Sequence, residues 1–191
     1  MKRLLFFLVC IMGFSFSNAQ ISGEKFYCYG IDYSYVKVFG AKESPLQFEE
    51  AFKEINYLLI SQRNKYDFSN MVNTHVEIDI MPMLEKLTKN DYQDIKLYRS
   101  DFQISDFDCS EIVKEYDLQE NTGIGIVLIA KLLNKDKKIG TYYVVMFDIA
   151  SRDIVYCKEV DGKASGFGLR NFWAFSVYHI IKTTKINTDQ N

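Results

Sequence analysis

The stretch that decides the fold class is IGIVLIAKLLNKDKKIGTYYVVMFDIASRDIVYCKEV, residues 124–160. Its apolar and β-branched runs are typical of strands, and three strands are predicted, over residues 124–133, 141–149 and 154–160. Polar turns at 134–138 and 150–153 separate these strands. Because strands joined by short turns pair in opposite directions, the stretch predicts a three-stranded antiparallel meander.

The segment before the meander adds a strand and a helix. Residues 26–39 are dense in aromatic and β-branched residues, which favours a strand. The apolar positions change parity after Tyr35, which predicts a bulge or a kink there. Ser44 and Gln47 fit a capping box with Pro45 in the first turn, so an amphipathic helix is predicted to begin here.

The remaining segments complete the order of elements. A short strand is predicted at 76–80, followed by helices that Asp79 and Asp108 cap, and a last helix at 169–182 follows the meander. The predicted fold class is therefore α+β. It is a two-layer sandwich in which helices cover one face of a mixed sheet that ends in the antiparallel meander.

Residues 1–19 are predicted to be a signal peptide. Lys2 and Arg3 supply the charged start, an apolar run follows, and small residues precede a cleavage site after Ala19. The apolar run is shorter than the ~20 residues of a spanning helix. We therefore expect cleavage and a periplasmic or secreted protein, with residues 20–191 as a single domain.

The composition is that of a globular domain rich in aromatic residues. Hydrophobic residues make up 48% and charged residues 25% of the 191 residues, which excludes a disordered tail. Loss of Lys2 and Arg3 with the leader shifts the formal charge from −2 to −4. No basic block is visible, so nucleic-acid binding is not expected. No second apolar run has spanning length, so no transmembrane segment is expected in the mature chain.

Three cysteines, Cys28, Cys109 and Cys157, remain after the leader. An odd number leaves at least one thiol unpaired within a molecule. A Cys28–Cys157 disulfide is one alternative, because both residues lie in predicted strands. A domain of this size buries a sufficient hydrophobic core without a disulfide bond, so we expect three free, buried thiols.

The glycine-rich turn GKASGFG, residues 162–168, is the sharpest local motif. It follows a predicted strand and opens a helix, where backbone N–H groups and the helix dipole can hold an anion. Lys163 and Arg170 would add positive charge to such a site. Gly166 and Gly168 equally suit tight backbone packing, and the spacing matches neither phosphate-binding motif. The structural interpretation is favoured, and an anion site remains the alternative.

A second candidate site lies in the aromatic strand. Asp32 is a carboxylate among aromatic residues, and it could meet a partner or ligand, although facing water at a bulge is favoured. Tyr33 and Tyr35 belong to a run of tyrosines that could form a platform for a carbohydrate or peptide, although core packing is favoured. A paired-carboxylate mechanism would need a second acid, and Asp148 is a candidate by strand position alone.

No catalytic residue, metal site or cofactor is predicted from the motifs. His75 and His179 stand outside any metal-ligand spacing, and no GxSxG elbow is present.

Two resemblances follow from these segments. The chain resembles uncharacterised small secreted proteins of Gram-negative envelopes. The resemblance rests on the leader, on the capped helix, on YGIDYS (29–34) and on VVMFDIASRDIVYCKEVDGKASGFGLRNFWA (144–174). The run 142–160 is similar to envelope assembly accessory domains, such as the curli secretion channel and lipoprotein activators of peptidoglycan synthases. The resemblance implies a place in the cell envelope and supplies no catalytic residue.

The sequence thus predicts an exported, non-enzymatic binding or accessory protein that contacts another envelope protein or an extracellular polymer. Two alternatives stay open: a hydrolase acting on envelope carbohydrate or peptide, and a small-ligand carrier. A binding protein should present a surface apolar patch and no deep cleft. A hydrolase should bring titratable groups with perturbed pKa values together, and a carrier should enclose an apolar cavity.

Overall fold

The structure is a computed structural model that describes residues 24–99, 104, 106, 108–120 and 122–187. The predicted signal peptide lies outside the described residues. Within them the elements are β1 (Phe26–Asp32), β2 (Lys37–Phe39), α1 (Pro45–Ser61), α2 (Ser69–Val72), β3 (Val76–Ile78), α3 (Met81–Lys89), β4 (Lys96–Leu97), α4 (Cys109–Lys114), β5 (Ile124–Asn134), β6 (Ile139–Asp148), β7 (Ile154–Lys163) and α5 (Leu169–Thr183).

Local sequence signals set the helix starts. Ser44 Oγ accepts a hydrogen bond from Gln47 N, and the Gln47 side chain accepts one from Ser44 N, which confirms the predicted capping box of α1. Asp108 caps α4 as predicted, by accepting from the backbone N–H groups of the first turn. The N-cap of α3 is Ile80, so the predicted cap at Asp79 is off by one position. The Asp79 carboxylate still accepts from Met81 N.

β5 is the central strand of one seven-stranded sheet. On one edge it pairs in parallel with β1 and then with β2, and on the other edge it pairs antiparallel with β6. β3 extends the sheet beyond β1 in parallel, β4 pairs in parallel with β2, and β7 pairs antiparallel with β6. The parallel pairs require crossover connections, which α1 and the segments after β3 provide.

The predicted fold class is wrong. The α+β prediction placed helices on one face of a mixed sheet that ends in an antiparallel meander, but β5 is the parallel partner of β1 and β2 in a mostly parallel, α/β-like sheet. Helices also cover both faces, since α4 packs on the face opposite α1 and α5. Parallel pairing joins strands that are far apart in sequence. The hydrophobic pattern of residues 124–160 therefore could not predict that β5 pairs with β1 and β2.

The predicted single strand at 26–39 is divided by a turn. Val36 N donates to Tyr33 O across 3.2 Å, and the chain resumes as β2 at Lys37. The parity change after Tyr35 belongs to this turn. The bulge lies earlier, where the register between β1 and β5 shifts between Cys28 and Gly30. The turn therefore projects from the carboxyl end of β1.

Two hydrophobic cores lie on opposite faces of the sheet. The first is packed by α1 and α5 and contains most of the largest buried rings, including Trp173, Phe48 and Phe52. The second lies beneath α4 and contains Tyr27, Tyr29 and Phe147 among others. Neighbouring residues of β1 thus serve different cores, as the period of a strand requires.

Candidate functional site

The candidate site lies at the carboxyl end of β1. After β1 the chain first continues as β2 along the same edge of β5, then crosses to β3 on the far side of β1, and later returns to β5. β1, β2, β3 and β5 pair in parallel. In open α/β sheets, ligands bind outside the carboxyl ends of strands where the chain reverses its course across the sheet. Asp32 is the last residue of β1, and the turn at 33–36 follows it.

Asn56 of α1 holds the end of β1 in place. Its Oδ1 accepts from Ile31 N at 2.8 Å and its Nδ2 donates to Ile31 O at 3.0 Å, so a buried amide satisfies the backbone beside the bulge. Gly30 has φ +95°, and a Cβ there would lie 2.4 Å from Asn56 Oδ1. Glycine is therefore required for Asn56 to reach the strand.

Asp32 is buried, at 2% exposure, so the interpretation that it faces water is wrong. One carboxylate oxygen accepts from Ser34 N at 2.8 Å. The other accepts from Tyr116 OH at 2.9 Å and lies 3.3 Å from Lys86 Nζ. The carboxylate thus has donors on both oxygens, as a buried charge requires.

Lys86 joins Asp32 to a second acid. Lys86 Nζ donates to Glu115 Oε2 at 2.9 Å, and Tyr35 OH donates to the same oxygen at 3.0 Å. The ammonium also lies 5.2 Å from the ring centre of Tyr35 and 4.9 Å from that of Tyr116. We call Asp32, Tyr35, Lys86, Glu115 and Tyr116 the Lys86 cluster.

The charged groups of the Lys86 cluster are paired with one another: Lys86 with the carboxylates of Asp32 and Glu115. The hydrogen bond from Lys86 lowers the pKa of Glu115. Burial, reinforced by the nearby Glu115 carboxylate, raises the pKa of Tyr35 to about 12. Burial also raises the pKa of Tyr116 far above its usual value, and Asp32 adds to that rise. At neutral pH both tyrosines therefore stay protonated and act as hydrogen-bond donors.

An open cleft of about 300 Å³ lies beside the Lys86 cluster. We call it the strand-end cleft; its lining residues are Ser34, Tyr35, Val36, Lys37, Asn90, Asp91, Tyr92, Asp94, Ile95 and Ile104. Its walls are tied together by Asn90 Nδ2, which donates to Ser34 O at 3.1 Å, and by Lys37 Nζ, which donates to Asp94 O at 2.8 Å. The cleft is therefore largely preformed.

Two hydroxyls at the strand-end cleft lack partners. Ser34 Oγ and Tyr92 OH are buried and have no hydrogen-bond partner in the described part of the chain. Burial raises the pKa of Tyr92, and the Asn90 side chain, which approaches the hydroxyl without meeting hydrogen-bond geometry, offsets part of that rise. Most buried polar groups in proteins are paired. Seven buried side-chain atoms of the described residues are not, and these two belong to residues that line the cleft.

The glycine-rich turn lies at a different cleft, of about 380 Å³, between α1 and the start of α5. Gly168 and Arg170 line it, whereas Lys163 and Gly166 do not. Gly166 has φ +115° and Gly168 has φ +80°, so both serve the entry into α5.

The charges at this second cleft disfavour an anion. Glu50 and Glu54 line it, and Arg170 Nη1 lies 3.7 Å from the Glu54 carboxylate. The positive charge that the anion hypothesis needs is therefore already opposed by two carboxylates. The packing interpretation of the glycines fits this arrangement better.

The other predicted candidates are placed apart from the cleft. Tyr33 is buried and stacks on Phe52, with ring centres 3.9 Å apart. Asp148 pairs with Ile124, whereas Asp32 pairs with Ile129, five positions further along β5. At about 3.3 Å per residue, the two acids are separated by roughly 17 Å. Asp148 therefore cannot act with Asp32, and Glu115 is the acid that shares Lys86 with it.

Several site residues were not predicted from the sequence. Lys86, Glu115 and Tyr92 carry no motif, and only the tertiary fold brings them to β1. Asn56 had a local signal, because it interrupts the apolar stripe that Phe52, Ile55 and Leu59 form on the buried face of α1. A buried amide in such a stripe indicates a backbone partner elsewhere.

A scan of protein-family models, a search of curated proteins and a search of solved structures each found no match to the chain. None of the helices that the structure describes has the length and apolar character to cross a membrane. Over the same residues, His, Cys, Asp and Glu do not gather in groups of three that could hold a metal ion. Function therefore follows from the clefts and their charges.

Proposed function

We propose that the protein is an exported, non-enzymatic binding protein of the cell envelope that holds an extracellular polymer in the strand-end cleft. The observation that carries this proposal is the pair of buried, unpartnered hydroxyls, Ser34 Oγ and Tyr92 OH, at an open cleft. A ligand that reaches them recovers hydrogen bonds that the free protein lacks. The position at the carboxyl end of β1 also fits the general location of ligand sites in such sheets.

The lining favours a neutral polymer that is rich in hydroxyl groups. Tyr35 offers an aromatic surface with a polar end, and Asn90 offers an amide that both donates and accepts. Asp91 and Asp94 accept from hydroxyls, and together they outnumber the one ammonium of Lys37, which disfavours a polyanion. A volume of about 300 Å³ is at the lower end of ligand pockets, as suits a short segment of a longer chain.

The Lys86 cluster supports binding over hydrolysis. A general acid for glycoside cleavage needs a carboxyl pKa that is raised toward neutrality, whereas the pKa of Glu115 is lowered by Lys86. Asp32 has donors on both oxygens and is buried. Since the cleft is open, it also differs from the closed apolar cavity that a small-ligand carrier would need.

A second candidate partner is another envelope protein. Leu46, Tyr57 and Ile60 lie on the outward side of α1 and are 72%, 48% and 54% exposed. Their helical spacing places them in one stripe, and exposed apolar patches mark interaction surfaces. None of these three residues lines the strand-end cleft, so variants can separate the two candidates.

Co-sedimentation of residues 20–191 with two insoluble polymers, purified cell-wall sacculi and a neutral β-glucan, tests the proposed function. The wild type should sediment with at least one polymer. Ser34→Ala and Tyr92→Phe each remove one unpartnered hydroxyl, and each should weaken binding about three- to tenfold, the value of one hydrogen bond. Tyr57→Phe is the matched control, because it removes an exposed hydroxyl outside the cleft.

Three outcomes would contradict the proposal. The cleft variants could bind as tightly as the wild type, or the polymer could release soluble fragments, which would favour the hydrolase. Binding to neither polymer, with capture of an envelope protein that Leu46→Ala abolishes, would favour the protein partner. N-terminal sequencing of the protein from its host tests export separately, and Gln20 should be the first residue.

A further inference from the structure

Cys109 and Cys157 lie side by side, although 48 positions separate them in the chain. Cys109 is the first residue of α4, Cys157 lies in β7, and their Sγ atoms are 3.2 Å apart. A disulfide needs a separation of about 2.05 Å, so the atoms must approach by only about 1.2 Å. Cys28 is fully buried in the core on the other face of the sheet, so the Cys28–Cys157 pairing considered from the sequence does not fit.

An ion-paired lysine holds the two segments together. Lys131 Nζ lies 2.6 Å from Asp106 Oδ1 and 2.5 Å from Glu159 Oε2. Asp106 precedes Cys109 by three residues, and Glu159 follows Cys157 by two. Lys131 thus links the residues just before α4 to β7, close to the two thiols. This link keeps the two sulfur atoms near each other.

The two thiols differ in access and acidity. Cys109 is buried, whereas Cys157 is exposed, so the expectation of three buried thiols is wrong for Cys157. The hydrogen bond between them lowers the pKa of Cys157, against an opposing effect of burial. The same contact, with burial, raises the pKa of Cys109. The thiolate therefore forms first on the sulfur that an external reagent can reach.

We propose that Cys109 and Cys157 form an intramolecular disulfide by exchange with an external disulfide. The Cys157 thiolate attacks one sulfur of that disulfide, which gives a mixed disulfide and releases one thiolate. Cys109 then loses its proton to solvent, and its thiolate attacks Cys157 Sγ and releases the second thiolate. The external disulfide gains two electrons and, with two protons, becomes two thiols, while the protein loses two hydrogen atoms.

The bond would fix the element that supports the candidate site. Beyond its last turn, α4 continues directly into Glu115 and Tyr116, which hold Lys86 and Asp32. β7 is an edge strand of the described sheet, so the link would add a covalent bond to the packing and polar contacts that hold α4 and the residues after it on the sheet. The inference is independent of the proposed function, because it concerns thiol chemistry alone.

Treatment of reduced, folded residues 20–191 with oxidised glutathione tests the proposal. Non-reducing peptide mapping should recover one linked pair of peptides that contains Cys109 and Cys157. The intact mass should fall by two hydrogen atoms, and Cys28 should react with a thiol reagent only after unfolding. The midpoint of thermal unfolding should rise by about 5–15 °C, as expected for a loop of this length in a domain of this size.

Single variants make the test decisive. Cys28→Ser should form the link like the wild type, while Cys157→Ser and Cys109→Ser should not form it. The proposal is overturned if glutathione remains attached at Cys157, if the product is a linked dimer, or if Cys28 appears in the linked peptides.

Discussion

Replacement of Lys86 by methionine should lower the free energy of unfolding by about 3–4 kcal/mol. Methionine keeps much of the aliphatic length but removes the ammonium that lies 3.3 Å from Asp32 Oδ2. The Asp32 side chain is 1% exposed, so its charge would stay buried without a cation. Breaking one partner of a buried pair costs about 3–5 kcal/mol, and the donors Ser34 N and Tyr116 OH keep the loss in the lower part of that range.

Urea unfolding followed by circular dichroism measures this loss. With a slope of about 2 kcal/mol per molar urea, the midpoint should fall by roughly 1.5–2 M. The double variant Asp32→Asn with Lys86→Met should be more stable than Lys86→Met alone, because it leaves no buried charge. Lys114→Met is the matched control. Its pair with Glu111 joins two side chains that are 55% and 67% exposed, so the urea midpoint should stay at the wild-type value.

Two results would refute the reasoning. Lys86→Met could cost no more than Lys114→Met, or the double variant could be no more stable than Lys86→Met. Either result would mean that Lys86 does not neutralise the buried charge of Asp32 in the folded protein.

Three more variants test how the end of β1 is built. Asn56→Leu should cost about 2–4 kcal/mol in the same urea assay, because it leaves the buried N–H and C=O of Ile31 without their partners; the exposed Tyr57→Leu should cost about 0.5 kcal/mol or less. Gly30→Ala should cost about 2–3 kcal/mol, because φ is +95° and the new Cβ would lie 2.4 Å from the amide oxygen of Asn56; an unchanged midpoint would contradict the close approach. Glu115 has a lowered pKa in the folded state, so its stabilising effect is present above the unfolded value of 4.5 and is lost as the pH falls through the folded value. Glu115→Gln should therefore flatten the loss of stability below about pH 4.5, and an unchanged acid limb would contradict that contribution.

Local chemistry made part of the fold predictable. Ser44, Pro45 and Gln47 act within one turn of each other, so their pattern predicted the start of α1, and the structure has the same capping box. Asp108 caps α4 for the same reason. The turn at 33–36 could not be placed, because tyrosine and valine suit either a strand or a turn that packs on a core.

The sheet order and the candidate site depend on distant contacts. β1 and β5 are separated by almost a hundred residues, and the hydrophobic pattern is the same whichever strand lies beside β5. The six residues of α4 are too few to show which face of the sheet they cover. Asp32 and Tyr35 were singled out for their chemistry, but Lys86 and Glu115, which satisfy them, reach the site only through that same topology.

Binding without reaction at the strand-end cleft can be followed by one nuclear magnetic resonance titration. Soluble oligosaccharides from the polymer that co-sediments would be added to labelled residues 20–191, and the protein and ligand signals recorded together. We predict saturable shifts confined to residues 34–37 and 90–95, with the ligand signals unchanged over time. Shifts centred on residues 167–171 or on the outward side of α1, or new signals from cleaved sugar ends, would contradict that prediction.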